Sequence, residues 1–337
     1  MPASLKHIPS VFFLWAALLS GCSLVDEDRT DCVTTLELDC KLLLASNMDQ
    51  ELQSRLGAPS QQEVRDLLHG YLDGYFACTA SDIHLSFYET LDAALPLYTE
   101  KEEAFSGHEQ VYRLDFPVSA YRNLSVANLP AEGGSVAFSG GGHPASASLV
   151  QAVSENRSQP HGAALYAGRK DFLVPYGTDA REEVRLFMAN CASALVVDAS
   201  QAGSEVEGLT VYVDGMATEF HLWDSSYVYT PDVLVETREL DTRDGSIRSF
   251  VSVHFPSPDN ATKAEEEPIW RWLAYVKMKD GTINESRLNL TDPLPAGQLK
   301  VLTARLTDTG IVTTEDTSVG VSVTLDWSPG MGFELPL

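Results

Sequence analysis

Apolar residues recur at every second position in one short segment after another, and this period of two narrows the possible folds more than any other feature. Thr34, Leu36, Leu38 and Cys40 share one face, as do Ile83, Leu85 and Phe87, and then Tyr112, Leu114 and Phe116. A second series follows residue 160: Val184, Leu186 and Met188; Leu209, Val211 and Val213; Val251, Val253 and Phe255; and finally Val319, Val321, Val323, Leu325 and Trp327. Alternate side chains of a strand point to opposite faces, so each row predicts a half-buried strand. Asp214-Gly215 and Asp280-Gly281 lie between such rows and predict hairpins of type I′, in which both central residues take positive φ.

One segment departs from this pattern. Val64, Leu67, Leu68, Tyr71, Leu72 and Tyr75 recur at helical spacing, predicting a helix over Gln61–Tyr75, and Ser60 with Glu63 offers a capping box before it. A shorter helical turn is expected near Asp49–Leu56, with the longer helix packed on an end or open face of the first sandwich. Strand and helix patterns do not alternate, which disfavours a parallel α/β sheet. The fold class expected is mainly β, with two antiparallel β-sandwich domains and a helical insertion in the first. Ser154–Gly162, polar and containing Pro160, marks the expected boundary, giving an N-terminal sandwich at 33–158 and a C-terminal one at 159–337.

The N-terminus carries an address. Lys6 and His7 precede the apolar run Val11–Leu19, and Leu18-Leu19-Ser20-Gly21-Cys22 resembles the lipobox of a bacterial lipoprotein. The run is far shorter than the ~20 residues of a spanning helix. That resemblance implies a signal peptide at 1–21, cleavage before Cys22, and acyl chains on Cys22 that hold the protein to the outer membrane, each buried methylene adding about 0.8 kcal/mol. The following stretch, 22–32, contains Asp26, Glu27, Asp28 and Asp31 and reads as a solvated tether. It resembles the acidic signal that sends Bacteroidales lipoproteins to the cell surface.

The 48 acidic and 23 basic side chains give a formal charge of −25. Nucleic acid is thereby disfavoured as a partner, since binding it needs a basic face. None of Cys32, Cys40, Cys78 and Cys191 stands in a C-x-x-C pair, so zinc and thioredoxin-like chemistry lack support. An oxidising envelope would permit Cys32 or Cys40 to bridge to Cys78, with buried free thiols the alternative.

The chain has no G-x-S-x-G elbow, H-E-x-x-H, P-loop or G-x-G-x-x-G opening a helix. Ser139-Gly140-Gly141-Gly142 precedes His143-Pro144 rather than a helix and reads as a hairpin loop. Asp241-Thr242-Arg243-Asp244-Gly245 lacks the ligand series of a calcium loop and reads as a turn. Glu265-Glu266-Glu267 reads as an exposed charged loop, His69 belongs to the predicted helix, and His84 and His254 are expected to face outward from strands. Trp270 and Trp272 share a strand face and are expected in a core, while they and Trp223 would otherwise serve as platforms for sugars. No catalytic residue, cofactor or metal is therefore assigned, and a non-enzyme is expected.

Taken in order, these segments resemble the fimbrillin-A-associated anchor family of Bacteroidales, lipoproteins at the base of type V fimbriae. The resemblance rests on Cys22, the acidic tether and the strand Val33–Cys40; on Asp82–Tyr88; on Tyr112–Tyr121 with Leu124–Ala127; on Glu183–Met188 leading into Ala194–Val197, as paired strands opening a second domain; and on Val319–Trp327 followed by Ser328-Pro329-Gly330. It implies two transthyretin-like sandwiches, attachment of a filament to the outer membrane and limitation of its length, through strand addition with a fimbrial stalk subunit. Val319, Val321, Val323, Leu325 and Trp327 are then the candidate donor strand. A filament subunit and a surface glycan-binding lipoprotein are the alternatives.

Overall fold

The computed structural model describes residues 33–130, 133–139, 143–243, 245–259 and 267–328. Cys22, Cys32, the signal and the tether lie outside the described residues, as do Gly140–Gly142, Asp244, Glu265 and Glu266.

The alternating rows become strands, and the strands form a mainly β protein of stacked sheets. The first sheet contains β1 (Val33–Leu43), β2 (Ala80–Glu89), β3 (Leu97–Gly107), β4 (Glu109–Pro117), β5 (Ala120–Ala127), β6 (Tyr166–Leu173) and β7 (Ala180–Met188). Their order across it is β3-β2-β5-β6-β7-β1-β4. β3 and β4 are consecutive in the chain yet stand at its two ends. The Tyr112 hydroxyl on β4 donates to the Ala104 carbonyl on β3 at 2.7 Å, so the sheet curls until its ends meet. Inside the curl Phe87, Phe116, Tyr121 and Phe172 pack, with Phe116 and Tyr121 edge to face at 4.9 Å. A four-stranded sheet built from Val136–Ser139, Ser148–Gln151, Glu219–His221 and Ser226–Val228 stacks on the outside, burying Leu124, Val126, Leu149 and Phe220 between them. β2 is therefore covered on both faces and is buried continuously from Ile83 to Tyr88, where alternation predicts one wet face.

The C-terminal part has two facing sheets. One runs Arg238–Asp241, β10, β8, β13, Val312–Thr313, with β8 (Cys191–Asp198), β10 (Ile247–His254) and β13 (Leu299–Leu306). The other runs β14, β12, β11, β9 and then the short strands Leu234–Glu236, Arg157–Ser158 and Val153–Ser154, with β9 (Val206–Asp214), β11 (Trp270–Met278), β12 (Ile283–Leu290) and β14 (Val319–Thr324). Trp270 and Trp272 fill the space between them, as expected. Each fully buried indole removes a large apolar area from water, and Trp270 also finds the Asp292 carbonyl at 2.9 Å.

The two helices, α1 (Met48–Arg55) and α2 (Gln62–Phe76), join these layers. α2 buries Val64, Leu68, Leu72 and Phe76, and the same core continues from β1 through the helices to Ala194, Val253 and Val301. The helical insertion therefore packs on the second sandwich as well as the first. Its expected capping box is absent: Gln61 is the N-cap and caps with no side-chain bond, while Glu63 accepts the Arg243 backbone N–H at 3.1 Å.

Four further expectations are corrected. β6 and β7, beyond residue 158, belong to the first sheet, while Val153–Ser154 and Arg157–Ser158 already lie in a C-terminal sheet, so the chain passes between the sandwiches more than once rather than at 158/159. β7 and β8 are not partners: β7 pairs with β6 and β1, and β8 with β10 and β13. Three pairings, β1 with β7, β8 with β13, and Leu234–Glu236 with Arg157–Ser158, are parallel within otherwise antiparallel sheets. Asp214-Gly215 makes no hairpin, because β9 pairs with β11 whereas Glu219–His221 joins the four-stranded sheet. Gly215 is needed there for another reason, having φ +89° and a Cβ position only 2.9 Å from the Ile269 carbonyl oxygen. Asp280-Gly281 does close the β11–β12 hairpin, but with positive φ at Gly281 alone, as in a three-residue loop ending on a left-handed glycine.

Candidate functional site at the free sheet edge

β14 is the last strand of its sheet and is held by β12 in six register pairs, from Leu290↔Val319 to Glu285↔Thr324. The candidate donor strand is thus paired within its own chain. Val319 sits in the core, and beyond the turn at Asp326, φ +50°, the Trp327 N–H donates to the Ile283 carbonyl at 2.6 Å. The expected apolar row does not share one environment. Val321 and Val323 are 40% and 39% exposed and Leu325 is 63% exposed, while Trp327 has passed to the outer face and packs on Tyr275 at 4.8 Å.

The exposure has a topological cause. Val321 and Val323 pair with Leu288 and Ser286, so they lie on the inner face, where the opposite sheet should cover them. That sheet ends in the two-residue strand Val312–Thr313, and β14 overhangs it. Among the described residues, the two edge strands of the first sheet are charged, β3 with Glu100, Lys101, Glu102 and Glu103 and β4 with Glu109, Arg113 and Asp115, and such charges discourage another strand from joining. Gly320-Val321-Ser322-Val323-Thr324 carries none. An uncharged edge with an apolar row beneath it supplies what strand addition needs: backbone groups for affinity and side-chain contacts for register.

Among the described residues, no other expected group gathers into chemistry. His84 and His254 are buried rather than outward facing. His254 donates Nδ1–H to the Phe255 carbonyl at 2.8 Å and its Nε2 receives the Ser193 hydroxyl at 2.8 Å, with the Cys191 sulfur 3.5 Å from Nδ1. Burial pushes the Cys191 thiol well up, which leaves it unreactive. Cys40, Cys78 and Cys191 are free thiols. Among the described residues, no group of three His, Cys, Asp or Glu side chains could hold a metal ion. Trp223 lies under the Arg122 guanidinium, 3.8 Å from the ring centroid.

A buried cluster at the junction was not legible in the sequence. His161 donates Nε2–H to the Gln151 side-chain amide oxygen Oε1 at 2.5 Å and receives the Asn190 side-chain amide on Nδ1 at 3.2 Å. Asn190 also holds the Leu165 N–H and the Ala163 carbonyl, and the His161 backbone N–H reaches Val253 at 2.7 Å. This network fixes the crossing between the two sandwiches.

These layers define a protein of stacked β-sheets with an edge open to strand addition. No protein-family model matches the chain, and no curated protein matches it in sequence. Solved structures that share the fold include the fimbrial anchor protein Mfa2 of Porphyromonas gingivalis, at 11% identity and a TM-score of 0.51, covering 88% of this chain and 100% of that one. A candidate adhesin of Bacteroides thetaiotaomicron gives 8% identity and a TM-score of 0.52 over 88% and 99%. A candidate cell adhesion protein of Bacteroides eggerthii gives 12% and 0.50 over 87% and 96%. The likeness is one of fold, and the anchor protein among these neighbours agrees with the family resemblance read from the sequence.

Proposed function

We propose that this chain is a non-enzymatic, fimbria-associated surface lipoprotein that holds a filament to the outer membrane through acylated Cys22 and limits its length. The observation that carries the reading is the uncharged β14 edge, open on a fold shared with a fimbrial anchor along nearly the whole chain. Because β14 already completes its own sheet, the edge is the acceptor: a strand from the fimbrial stalk subunit pairs outside β14 and covers Val321 and Val323. The acidic tether from Cys22 to β1 keeps this surface clear of the anionic membrane.

Cells carrying Cys22→Ala should release both the protein and its filaments into the medium, and retention in the outer-membrane fraction would overturn the anchoring role. Lysines are tolerated on edge strands, so Val321→Lys with Val323→Lys leaves the fold intact. Capture of filaments sheared from the same cells should then fall about tenfold or more, the equivalent of ~1.4 kcal/mol. Unchanged capture would remove the edge from the proposal.

A further inference from the structure

The outer face of the β14-β12-β11-β9 sheet holds a cavity of about 340 Å³ beside Trp327. Its floor is apolar and aromatic. Tyr275 and Leu273 line it from below and are themselves almost wholly buried, the half-buried Trp327 packs on Tyr275 at 4.8 Å, and Tyr212 stands behind Tyr275 at 6.1 Å. Its rim is planar and charged. Arg271 Nε pairs with the Asp214 carboxylate at 2.8 Å, and Arg287 Nε with Glu285 at 2.6 Å. Glu285 is 1% exposed, an expensive position for a carboxylate on the outer face of a sheet. It orients Arg287, whose side chain remains 43% exposed with guanidinium donors beyond the one it spends on Glu285. Asp232 adds an exposed carboxylate at the opening.

We infer that this cavity binds a neutral saccharide. A pyranose ring has an apolar C–H face and a rim of neighbouring hydroxyls, each both donor and acceptor. The cavity offers the complement, the half-buried indole of Trp327 next to fixed carboxylate acceptors and guanidinium donors. Its volume lies at the low end of the roughly 300–1,000 Å³ of ligand pockets, the size of a terminal sugar unit rather than a folded peptide. Three carboxylates face two guanidiniums, and the whole chain carries −25, so uronates, sialates and phosphates are repelled while a neutral ring is not. Burial raises the Asp214 pKa despite Arg271, and the same loss of solvent strengthens a hydroxyl bond to that carboxylate.

A larger cavity of about 570 Å³ at the start of α1 makes a useful contrast. Of its polar side chains, Asn47 and Glu51 are bonded to the backbone of β13, Gln298 donates to the Ala45 carbonyl at 2.5 Å and Lys300 lies 4.0 Å from Asp292, so it offers a ligand no comparable rim.

The saccharide site is independent of the β14 edge, and its test keeps the two apart. The full-length protein in detergent is applied to a printed array of neutral and anionic glycans, and the best neutral oligosaccharide is titrated by calorimetry. Saturable binding to neutral glycans is expected, weakened about tenfold to a hundredfold by Arg287→Gln, as for a lost bond to a charged group. Trp327→Ala should abolish it. Asp232→Asn, at an exposed residue with φ +61° that asparagine tolerates, should weaken it without disturbing the fold. The Val321→Lys, Val323→Lys protein should bind sugar normally. Failure to retain any neutral glycan, binding confined to anionic glycans, or binding unchanged in both Arg287→Gln and Trp327→Ala would overturn the site.

Discussion

At the scale of single residues, the buried histidines make stability depend on pH. Burial lowers the pKa of His161 to about 3 and of His254 to about 4, from an ordinary 6.5. Both are neutral in the folded protein, and every ring nitrogen is already committed: the Asn190 amide that donates to His161 Nδ1 cannot turn into an acceptor for a second N–H. Between pH 6.5 and about 4 the unfolded chain therefore binds more protons than the folded one. Stability is complete above pH 6.5 and falls as pH drops through this window, by up to about 1.4 kcal/mol per pH unit for each histidine. Urea midpoints measured at pH 7, 6 and 5 should fall in that order, and His254→Gln should flatten the slope. A midpoint rising on acidification would contradict the assignment. The two core tryptophans also separate at this scale. Trp270→Phe loses a hydrogen bond to Asp292, whereas Trp272 has no hydrogen-bond partner for its indole nitrogen among the described residues. Trp270→Phe should thus be the more destabilising, by about 1 kcal/mol in chemical denaturation.

At the scale of elements, α1 acts as a lid on a strand edge. β13 is paired with Val312–Thr313 only at Arg305 and Leu306, which leaves its earlier backbone groups without a strand on that side. Asn47 takes both the carbonyl and the N–H of Leu299, at 3.0 and 2.7 Å, and Glu51, one helical turn on, accepts the Val301 N–H at 3.0 Å. The i, i+4 spacing of the helix thus meets the i, i+2 spacing of the strand. Arg55 pairs with Asp316 at 2.9 Å and lies 3.5 Å from Glu51. Asn47→Ala and Glu51→Ala should each cost about 1–3 kcal/mol by thermal or urea unfolding, because each strips a partner from a strand backbone group. Hydrogen exchange at Leu299 and Val301 should speed up in them; exchange unchanged from the parent chain would show that the helix does not seal this edge. The contrast with β14 is physical: one edge is covered by side chains and the other is left open.

At the scale of the whole molecule, one core crosses the junction. Leu36 of β1, Leu68 of α2 and Val253 of β10 belong to the same buried cluster, so the two sandwiches share their stabilisation. A single calorimetric transition is expected, and Leu68→Ala, losing about 2–5 kcal/mol, should move it as one peak. Two resolved peaks, with only one displaced by the substitution, would show the sandwiches to be independent.

Much of this molecule was readable in its sequence, and the limit of legibility falls where contacts stop being local. A period of two, set by the pleat, gave the strands; a period near 3.6 gave α2 within one residue of its observed ends; and Asp280-Gly281 gave a true hairpin. Leu18–Cys22 and the acidic stretch after it lie outside the described residues, and their resemblance to a lipobox and tether rests on the sequence alone. Alternation reports only that one face is apolar, so it could not show that β2 and His254 would be covered on both sides by layers formed from distant segments. Nor could it give the parallel pairing of β1 with β7, which places residues beyond 158 in the first sheet, or tell Asp214-Gly215 from a hairpin turn. The open edge at β14 and the cavity at Trp327 have the same origin. Which segments are strands and helices is set by the order of residues along the chain, because backbone geometry imposes a period on each. Which faces are buried, which edge is free and which charges meet beside Trp327 emerge once the sheets are assembled, because those depend on pairings between residues far apart in the chain.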